Sequence, residues 1–152
     1  MKQGTFVVTE ADAESAVLRD VSDGQIHALA ENPDLAVGEV LEGALEAEPP
    51  MDVVWTVTEV ERTYAVSVGE SGEPPTQRAR GTAAEQSVGE ITRHERAGTG
   101  EVHVLTVPED GTEAAVADVR DDEATVERAA RLGVERVEIR AEPGVVSVRY
   151  LP

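Results

Sequence analysis

The sequence predicts an α+β fold in two parts: an N-terminal small antiparallel β-barrel of the OB or SH3 type, followed by an α-β-α-α-β-β module. Residues 1–68 contain short segments of alternating apolar and polar residues separated by turns, whereas residues 76–152 alternate helical and strand patterns. The stretch between them, residues 69–75, is rich in Gly, Ser, Glu and Pro, which predicts a linker.

The first part contains five or six predicted strands. They are separated by turn signals such as Ser22-Asp23-Gly24. Closing a set of short strands into a barrel removes the unpaired strand edges that otherwise promote aggregation, so a small barrel is the expected arrangement. The predicted strands cover residues 4–9, 15–21, 25–30, 38–45, 52–60 and 62–68.

The second part begins with a helix that is predicted to run from Thr76, its N-cap, to the region of Gly98. Ala84, Val88 and Ile91 recur at spacings of four and three residues, which predicts that they dock this helix on the sheet. The elements that follow form the rest of an α/β module with helices packed on a small sheet. They are a strand at 101–107, helices at 110–120 and 123–132, and strands at 134–141 and 145–151.

The charge of the chain is strongly negative. Its 152 residues contain 31 Asp and Glu against 13 Lys and Arg, for a net charge of −18, and Lys2 is the single lysine. Aromatic residues make up only 3%. This composition is typical of halophilic archaea, because molar salt shortens the Debye length to about 3 Å and screens the self-repulsion of an acidic protein.

Several classes of protein are excluded or disfavoured. The chain has no cysteine, which excludes disulfides and Cys-based metal sites. It shows no signal-peptide pattern and no apolar run near the ~18 residues of a membrane span, so we expect a cytoplasmic protein with no membrane partner. Phosphate-loop, dinucleotide-binding, nucleophile-elbow and metal-ligand patterns are absent. We therefore expect no catalytic residue, cofactor or metal, although an enzyme is not excluded.

Positive charge is concentrated in the second part of the chain. Residues 1–73 carry three basic and sixteen acidic residues, whereas residues 74–152 carry ten basic and fifteen acidic ones. Four residues of the predicted first helix are therefore candidates for binding an anion such as phosphate. They are Arg78, Arg93, His94 and Arg96. The alternative is that the interleaved acids Glu85, Glu90 and Glu95 pair with these arginines at the surface without any ligand.

Runs throughout the chain resemble an uncharacterised haloarchaeal protein family of unknown function. The resemblance covers essentially the full length. It agrees with the halophilic composition but transfers no activity, cofactor or catalytic residue. The runs that carry it are Gly-Thr-Phe-Val-Val-Thr, Ala-Val-Leu-Arg-Asp-Val, Gly-Glu-Val-Leu-Glu, Gly-Glu-Val-His-Val-Leu-Thr-Val-Pro and the terminal Gly-Val-Val-Ser-Val-Arg-Tyr-Leu-Pro.

Three functions remain open from the sequence. The leading hypothesis is a non-enzymatic binding or adaptor protein with an unknown protein partner, although a fold does not by itself determine a function. The first alternative is a protein that binds RNA or single-stranded DNA. The aromatic residues Phe6, Trp55 and Tyr64 could stack on bases, but core packing is the favoured interpretation of all three. The second alternative is a small hydrolase or metal-dependent enzyme. A homodimer formed through an open edge of the last strand, at 145–151, is a further expectation.

Overall fold

A computed structural model describes every residue from Met1 to Pro152. The fold is mixed α+β, with ten strands in two five-stranded sheets and three α-helices. The chain divides into two compact units. Unit 1 comprises Met1–Val66 and Val126–Arg131, and unit 2 comprises Ser67–Thr125 and Leu132–Pro152. None of the helices is long and apolar enough to cross a membrane.

Unit 1 is built on an antiparallel sheet. Its strands are β1 (Lys2–Ala11), β2 (Ala16–Asp20), β3 (Ile26–Ala28), β4 (Glu39–Ala47) and β5 (Trp55–Ala65). They lie in the order β3-β2-β1-β4-β5, so the N-terminal strand is central. Its run Phe6-Val7-Val8 is fully buried, as expected for β-branched and aromatic residues in the middle of a sheet.

No closed barrel is found in unit 1, and the predicted OB- or SH3-like barrel is unconfirmed. The two edge strands approach each other at one point. A single parallel bridge joins Leu29, just after β3, to Trp55 at the start of β5, and the Ala30 N–H donates to the Trp55 carbonyl at 2.9 Å. Because this bridge does not extend into a ladder, the sheet stays open along the rest of its edges.

The strands predicted at 52–60 and 62–68 are replaced by one long strand and one short one. β5 continues through Glu61 and Arg62. The Arg62 side chain donates to Glu42 of the neighbouring β4 at 2.9 Å, which holds these two polar residues in the sheet. The short strand is β6 (Ser67–Glu70), which belongs to unit 2. Gly69 and Glu70, which the sequence places in the linker, therefore lie in a strand.

Unit 2 contains a mixed sheet with the strand order β6-β9-β10-β8-β7. Its further elements are α1 (Gln77–Glu85), β7 (Ile91–Glu95), β8 (Glu101–Thr106), a 3₁₀ turn (Glu109–Gly111), α2 (Thr112–Asp121), α3 (Glu123–Leu132), β9 (Arg136–Glu142) and β10 (Val145–Leu151). Unit 1 contains residues 126–131 of α3. β10 pairs with β8 on one side and β9 on the other, so the last strand does not offer the open edge on which the expected homodimer depends.

The long helix predicted between Thr76 and Gly98 is wrong in its second half. α1 ends at Glu85, and residues 91–95 form β7, so the helix is followed by an additional strand. The turn before β7 contains Gly89 with a φ of 92°, and a residue in this conformation cannot continue an α-helix. Pairing with β8 then satisfies the backbone of this segment more completely than an exposed helix end.

The buried side of α1 also differs from the prediction. Ala79 and Ala83, four residues apart, are almost fully buried and pack against Val104 of β8. Their small side chains allow a close approach of the helix to the sheet. The residues predicted to dock the helix are exposed instead: Ala84, Val88 and Ile91.

Gly43 marks a close approach between β4 and β5. A β-carbon on Gly43 would lie 2.1 Å from the carbonyl oxygen of Glu59, and the pairing register shifts at this residue. We predict that Gly43→Ala lowers the free energy of unfolding by about 2 kcal/mol or more, because the obstructing atom belongs to the backbone and cannot rotate away. Chemical denaturation followed by circular dichroism measures this change, and the fluorescence of Trp55 reports it within unit 1.

Gly69→Ala is the matched control, since it is also a strand glycine and a β-carbon there meets no atom within 4 Å. Its unfolding free energy should stay within about 0.5 kcal/mol of the wild-type value. Equal stabilities for the two variants would show that the approach at Gly43 is not close.

Candidate functional site

A pocket of about 310 Å³ lies in unit 2 beside the N-terminal end of α1. Four elements and the segments next to them form its wall. Three arginines and a histidine are among the lining residues, so we call it the arginine pocket. It is lined by Thr76, Arg78, Ala79, His94, Glu95, Arg96, Ala97, Val102, Val104 and Arg149.

The helix and the β7–β8 hairpin bring these side chains together for local reasons. Thr76 caps α1, its Oγ1 accepting a hydrogen bond from the Ala79 N–H at 3.2 Å, which starts the helix just before Arg78. The hairpin turn passes through Gly100, where a β-carbon would lie 2.1 Å from the Tyr150 carbonyl oxygen. Glycine is required there, and the Arg96 guanidinium donates back to the Thr99 carbonyl at 2.6 Å.

His94 connects β7 to α1. Its Nδ1 lies 3.3 Å from a guanidinium nitrogen of Arg78, and its Nε2 lies 3.0 Å from Oγ1 of Thr82. Because a guanidinium group can only donate, Nδ1 must be the acceptor, and the proton of the neutral ring is on Nε2. The ring therefore holds Arg78 at the pocket and has no free nitrogen of its own.

Positive charge in the arginine pocket is only partly compensated. The Arg78 guanidinium contacts the His94 ring and that of Arg96 contacts a carbonyl, and neither group forms an ion pair. Glu95 is the single acidic residue among the lining residues, and by alternation along β7 its side chain lies on the face opposite that of His94. An anion inside the pocket would therefore meet two guanidinium groups, those of Arg78 and Arg96, that no carboxylate already occupies.

Arg149 adds a third, partly buried guanidinium group. It lies 3.3 Å from Oε1 of Glu138. Burial lowers the pKa of Arg149, and the neighbouring cations Arg140 and Arg96 lower it further, against the opposing effect of Glu138. Burial and the two neighbouring cations both disfavour the charged form of the Arg149 guanidinium, so a bound anion would stabilise it.

The structure brings together three of the four candidate residues from the sequence. Arg78, His94 and Arg96 line the arginine pocket, whereas Arg93 does not. Side chains alternate along a strand, so Arg93 points away from the face of His94 and is exposed. The sequence analysis did not identify Arg149 as a candidate. The one feature of the sequence that could have indicated it is that Arg149 is the single charged residue in an otherwise largely apolar strand.

A larger pocket of unit 2, of about 640 Å³, is acidic. Its one arginine, Arg120, already pairs with Glu70 at 2.8 Å and with Asp121 at 3.2 Å. No group of three or more His, Asp and Glu side chains has an arrangement that could hold a metal ion. This pocket is negatively charged, like the protein as a whole, so its charge gives no reason to propose it as a binding site. The acidic residues that line it are Glu70, Glu109, Asp110, Glu113 and Glu142.

The aromatic residues of unit 1 are packed inside it, as the sequence favours. Phe6 and Tyr64 are buried, and Trp55 packs against the core cluster around Phe6 and Leu18. Arg62 stacks on the Tyr64 ring with its guanidinium carbon 4.1 Å from the ring centroid. These rings contribute to the packing of unit 1 and form no exposed stacking surface.

The single lysine of the chain lies in a polar cluster of unit 1. Its Nζ is 2.9 Å from Asp23, 3.3 Å from Asp20 and 3.0 Å from Nε2 of His27. Burial lowers the pKa of Lys2, but hydrogen bonds to Asp23 and Asp20 outweigh this effect, and the pKa is raised. The amine therefore stays protonated, and the cluster ties β1 to the β2–β3 turn.

His27 completes this cluster from the buried side. Its ring packs edge to face between Phe6 and Trp55, with centroid distances of 5.8 and 4.6 Å. Burial lowers the pKa of His27, and the positive charge of Lys2 lowers it further, whereas Asp20 and Asp23 act in the opposite direction. The neutral ring accepts a hydrogen bond from Lys2 through Nε2.

A family model, described as a family of unknown function (DUF5812), matches residues 2–141 of the chain. No curated protein matches the chain. No solved structure matches it either.

We predict that unit 1 loses stability as the pH falls below 6.5, the ordinary pKa of histidine. The lowered pKa of His27 means that the unfolded chain binds a proton that the folded chain does not, so the stability present above pH 6.5 is lost as the pH falls toward the folded-state pKa. The pKa of Asp20 is lowered from 3.8, so the stability that its ionised carboxylate contributes is lost separately, as the pH falls below 3.8.

Denaturation followed by Trp55 fluorescence between about pH 7.5 and 5 measures this slope. His27→Gln should flatten it. His94→Gln, which changes a histidine of unit 2, is the control and should leave it unchanged. An identical slope in the wild type and in His27→Gln would contradict the assignment.

Proposed function

Since the chain belongs to the family of unknown function DUF5812, we propose a function from its own geometry: it is a non-enzymatic binding protein that recognises an anionic group in the arginine pocket. The partner that carries this group is a second molecule, as the adaptor hypothesis requires. Arg78, Arg96 and Arg149 are the binding residues, and His94 positions Arg78.

The observation that carries this proposal is the charge of the pocket relative to that of the chain. The net charge is −18, yet the pocket is lined by three arginines and a histidine, with one carboxylate. Arg78 and Arg96 have no ion-pair partner, so the donors that do not bind the His94 ring or the Thr99 carbonyl are available. A guanidinium group presents parallel N–H donors that match the oxygens of a carboxylate or a phosphate.

The hydrogen bonds of the pocket support binding rather than catalysis. Both ring nitrogens of His94 are used, one with Arg78 and the other with Thr82, so the ring is not placed as a general base. The hydroxyl of Thr76 is engaged in capping α1. The pocket therefore offers donors for an anion but no paired nucleophile and base.

We place this binding in the cytoplasm of a salt-loving archaeon, which the acidic, lysine-poor composition supports. Molar salt reduces the Debye length to about 3 Å. The repulsion between an acidic protein and an anionic ligand is then screened at long range, whereas direct hydrogen bonds from guanidinium groups still act at contact distance. High salt thus removes the main electrostatic obstacle to this function.

We predict that inorganic phosphate shifts the ring resonances of His94 in NMR spectra recorded at constant pH. The chain has three histidines, and His27, which lies in unit 1, serves as an internal reference that should not move. Arg96→Gln should weaken phosphate binding about 10- to 100-fold, which corresponds to the ~1.5–3 kcal/mol of one charge-assisted hydrogen bond.

Arg80→Gln is the matched control for this titration. Arg80 also lies on α1, but it pairs with Glu142 and does not line the pocket. The control should bind phosphate like the wild type. If phosphate does not move His94, or if both variants respond equally, the arginine pocket is not an anion site.

A second candidate function is the binding of RNA or single-stranded DNA. It is favoured by Arg93, an exposed arginine on the face of β7 opposite His94, which would contact a second phosphate outside the pocket. The burial of Phe6 and Tyr64 counts against it, since base stacking needs exposed rings.

For this alternative we predict that Arg93→Glu combined with Arg96→Glu abolishes retention of single-stranded nucleic acid in molar KCl. Arg120→Glu, at the acidic pocket, is the control and should leave retention unchanged. If the wild type retains no nucleic acid under these conditions, the nucleic-acid-binding hypothesis is wrong.

A further inference from the structure

β7 has an open edge next to the arginine pocket. It pairs with β8 on one side and with no strand on the other. The bonds toward β8 involve alternate residues, since the Glu90 carbonyl accepts from Thr106 and the Arg96 N–H donates to the Gly100 carbonyl. By the alternation of an antiparallel ladder, the backbone groups of the intervening residues point to solvent. These residues are Ile91, Arg93 and Glu95.

The two faces of this edge differ. On the face toward α1, Thr92 donates to Gln86 at 2.6 Å and His94 contacts Thr82 and Arg78. The side chains on the other face are exposed, and they are those of Ile91, Arg93 and Glu95. An added strand would therefore meet the arginine pocket on one face and an apolar and charged row on the other.

We propose that an extended acidic peptide adds to β7 as an antiparallel strand and places a carboxylate side chain in the arginine pocket. This inference rests on the proposed function and specifies it: the bound anion is a carboxylate of a peptide partner. Main-chain hydrogen bonds to the strand edge supply affinity, and the pocket supplies specificity for the acidic side chain.

The register of such a strand follows from β7. Hydrogen-bonded pairs form at Ile91, Arg93 and Glu95, so the peptide residue opposite His94 occupies a non-hydrogen-bonded position, where Cα atoms lie about 4.5 Å apart. Its side chain shares the face of His94. Because a guanidinium nitrogen of Arg78 is 3.3 Å from the His94 ring, a glutamate at this position is placed to reach the Arg78 guanidinium.

The neighbouring positions define a short recognition sequence. An acidic residue fits opposite Arg93, a basic one opposite Glu95 and an apolar β-branched one opposite Ile91. Read from its N-terminus, the antiparallel peptide is Lys-Glu-Glu-Thr-Val, with its second residue opposite His94. A second copy of the chain fits this edge less well. A twofold β7–β7 pairing centred on Arg93 would place two arginines directly opposite each other, and one centred on His94, although it pairs Arg93 with Glu95, would bring a histidine and no carboxylate to the pocket.

The test uses a fluorescein-labelled peptide, Gly-Ser-Lys-Glu-Glu-Thr-Val-Gly-Ser, and fluorescence anisotropy with the full chain. The wild type should bind it. Replacing the first glutamate of the peptide by glutamine, or Arg78→Gln in the protein, should weaken binding about tenfold or more. Arg80→Gln should bind the peptide like the wild type.

Backbone methylation of the peptide separates strand addition from simple charge attraction. N-methylation of the second glutamate removes the N–H that donates to the Arg93 carbonyl and should weaken binding about tenfold or more. N-methylation of the first glutamate is the matched control, because that N–H points away from β7, and it should leave the affinity unchanged. Equal effects of the two methyl groups would overturn strand addition.

Other outcomes separate this inference from the proposed function. If phosphate shifts His94 but the peptide does not bind, the peptide partner is wrong and the anion site stands. If neither ligand binds, both proposals fail. If sedimentation shows a dimer that Arg93→Glu dissociates, while the peptide does not bind, a second copy occupies the edge of β7 and the peptide proposal is overturned.

Discussion

The scarcity of cations is the constraint on which the arrangement of this protein depends. Thirteen basic residues face 31 acidic ones, so most carboxylates have no cationic partner. Those cations that form ion pairs link separate elements. Lys2 ties β1 to the β2–β3 turn, Arg62 joins β5 to β4 through Glu42, and Arg140 joins β9 to the segment before α1 through Glu73. Each exposed pair contributes at most ~1 kcal/mol, so these pairs specify geometry more than they stabilise it.

Against this background, the arginine pocket is unusual because two of its three arginines form no ion pair. Arg78 and Arg96 contact an imidazole ring and a carbonyl, whereas Arg149 pairs with Glu138 of β9 and lies near the cations Arg140 and Arg96. The pocket adjoins β7, an edge strand with unpaired backbone groups. Positive charge and an open strand edge are two independent means of recognition, and the fold places both at one end of α1. Their proximity favours a partner that carries an anion on an extended chain.

Most of the elements were predictable from the sequence because their signals are local. The helices at 112–121 and 123–132 and the strands of the C-terminal hairpin follow from apolar periodicity and from the Gly and Pro residues between them. The failure at residues 86–98 has a physical cause. The spacing of Ala84, Val88 and Ile91 fits a helix, but the segment pairs with β8, and that pairing is a tertiary interaction. The strands of unit 1 also follow from local alternation and turn residues. Closure of a barrel cannot be predicted in this way, because it depends on how the edge strands β3 and β5 meet.

The sequence by itself determined the charge of the chain, and it indicated Arg78, Arg93, His94 and Arg96 as the residues to examine. Only the tertiary structure decided that Arg78, His94 and Arg96 share a pocket, that Arg149 joins them and that Arg93 points elsewhere. The reason is that a strand residue faces one side or the other according to pairing register. A shift of one residue reverses every side chain, and register is set by contacts between segments far apart in the chain.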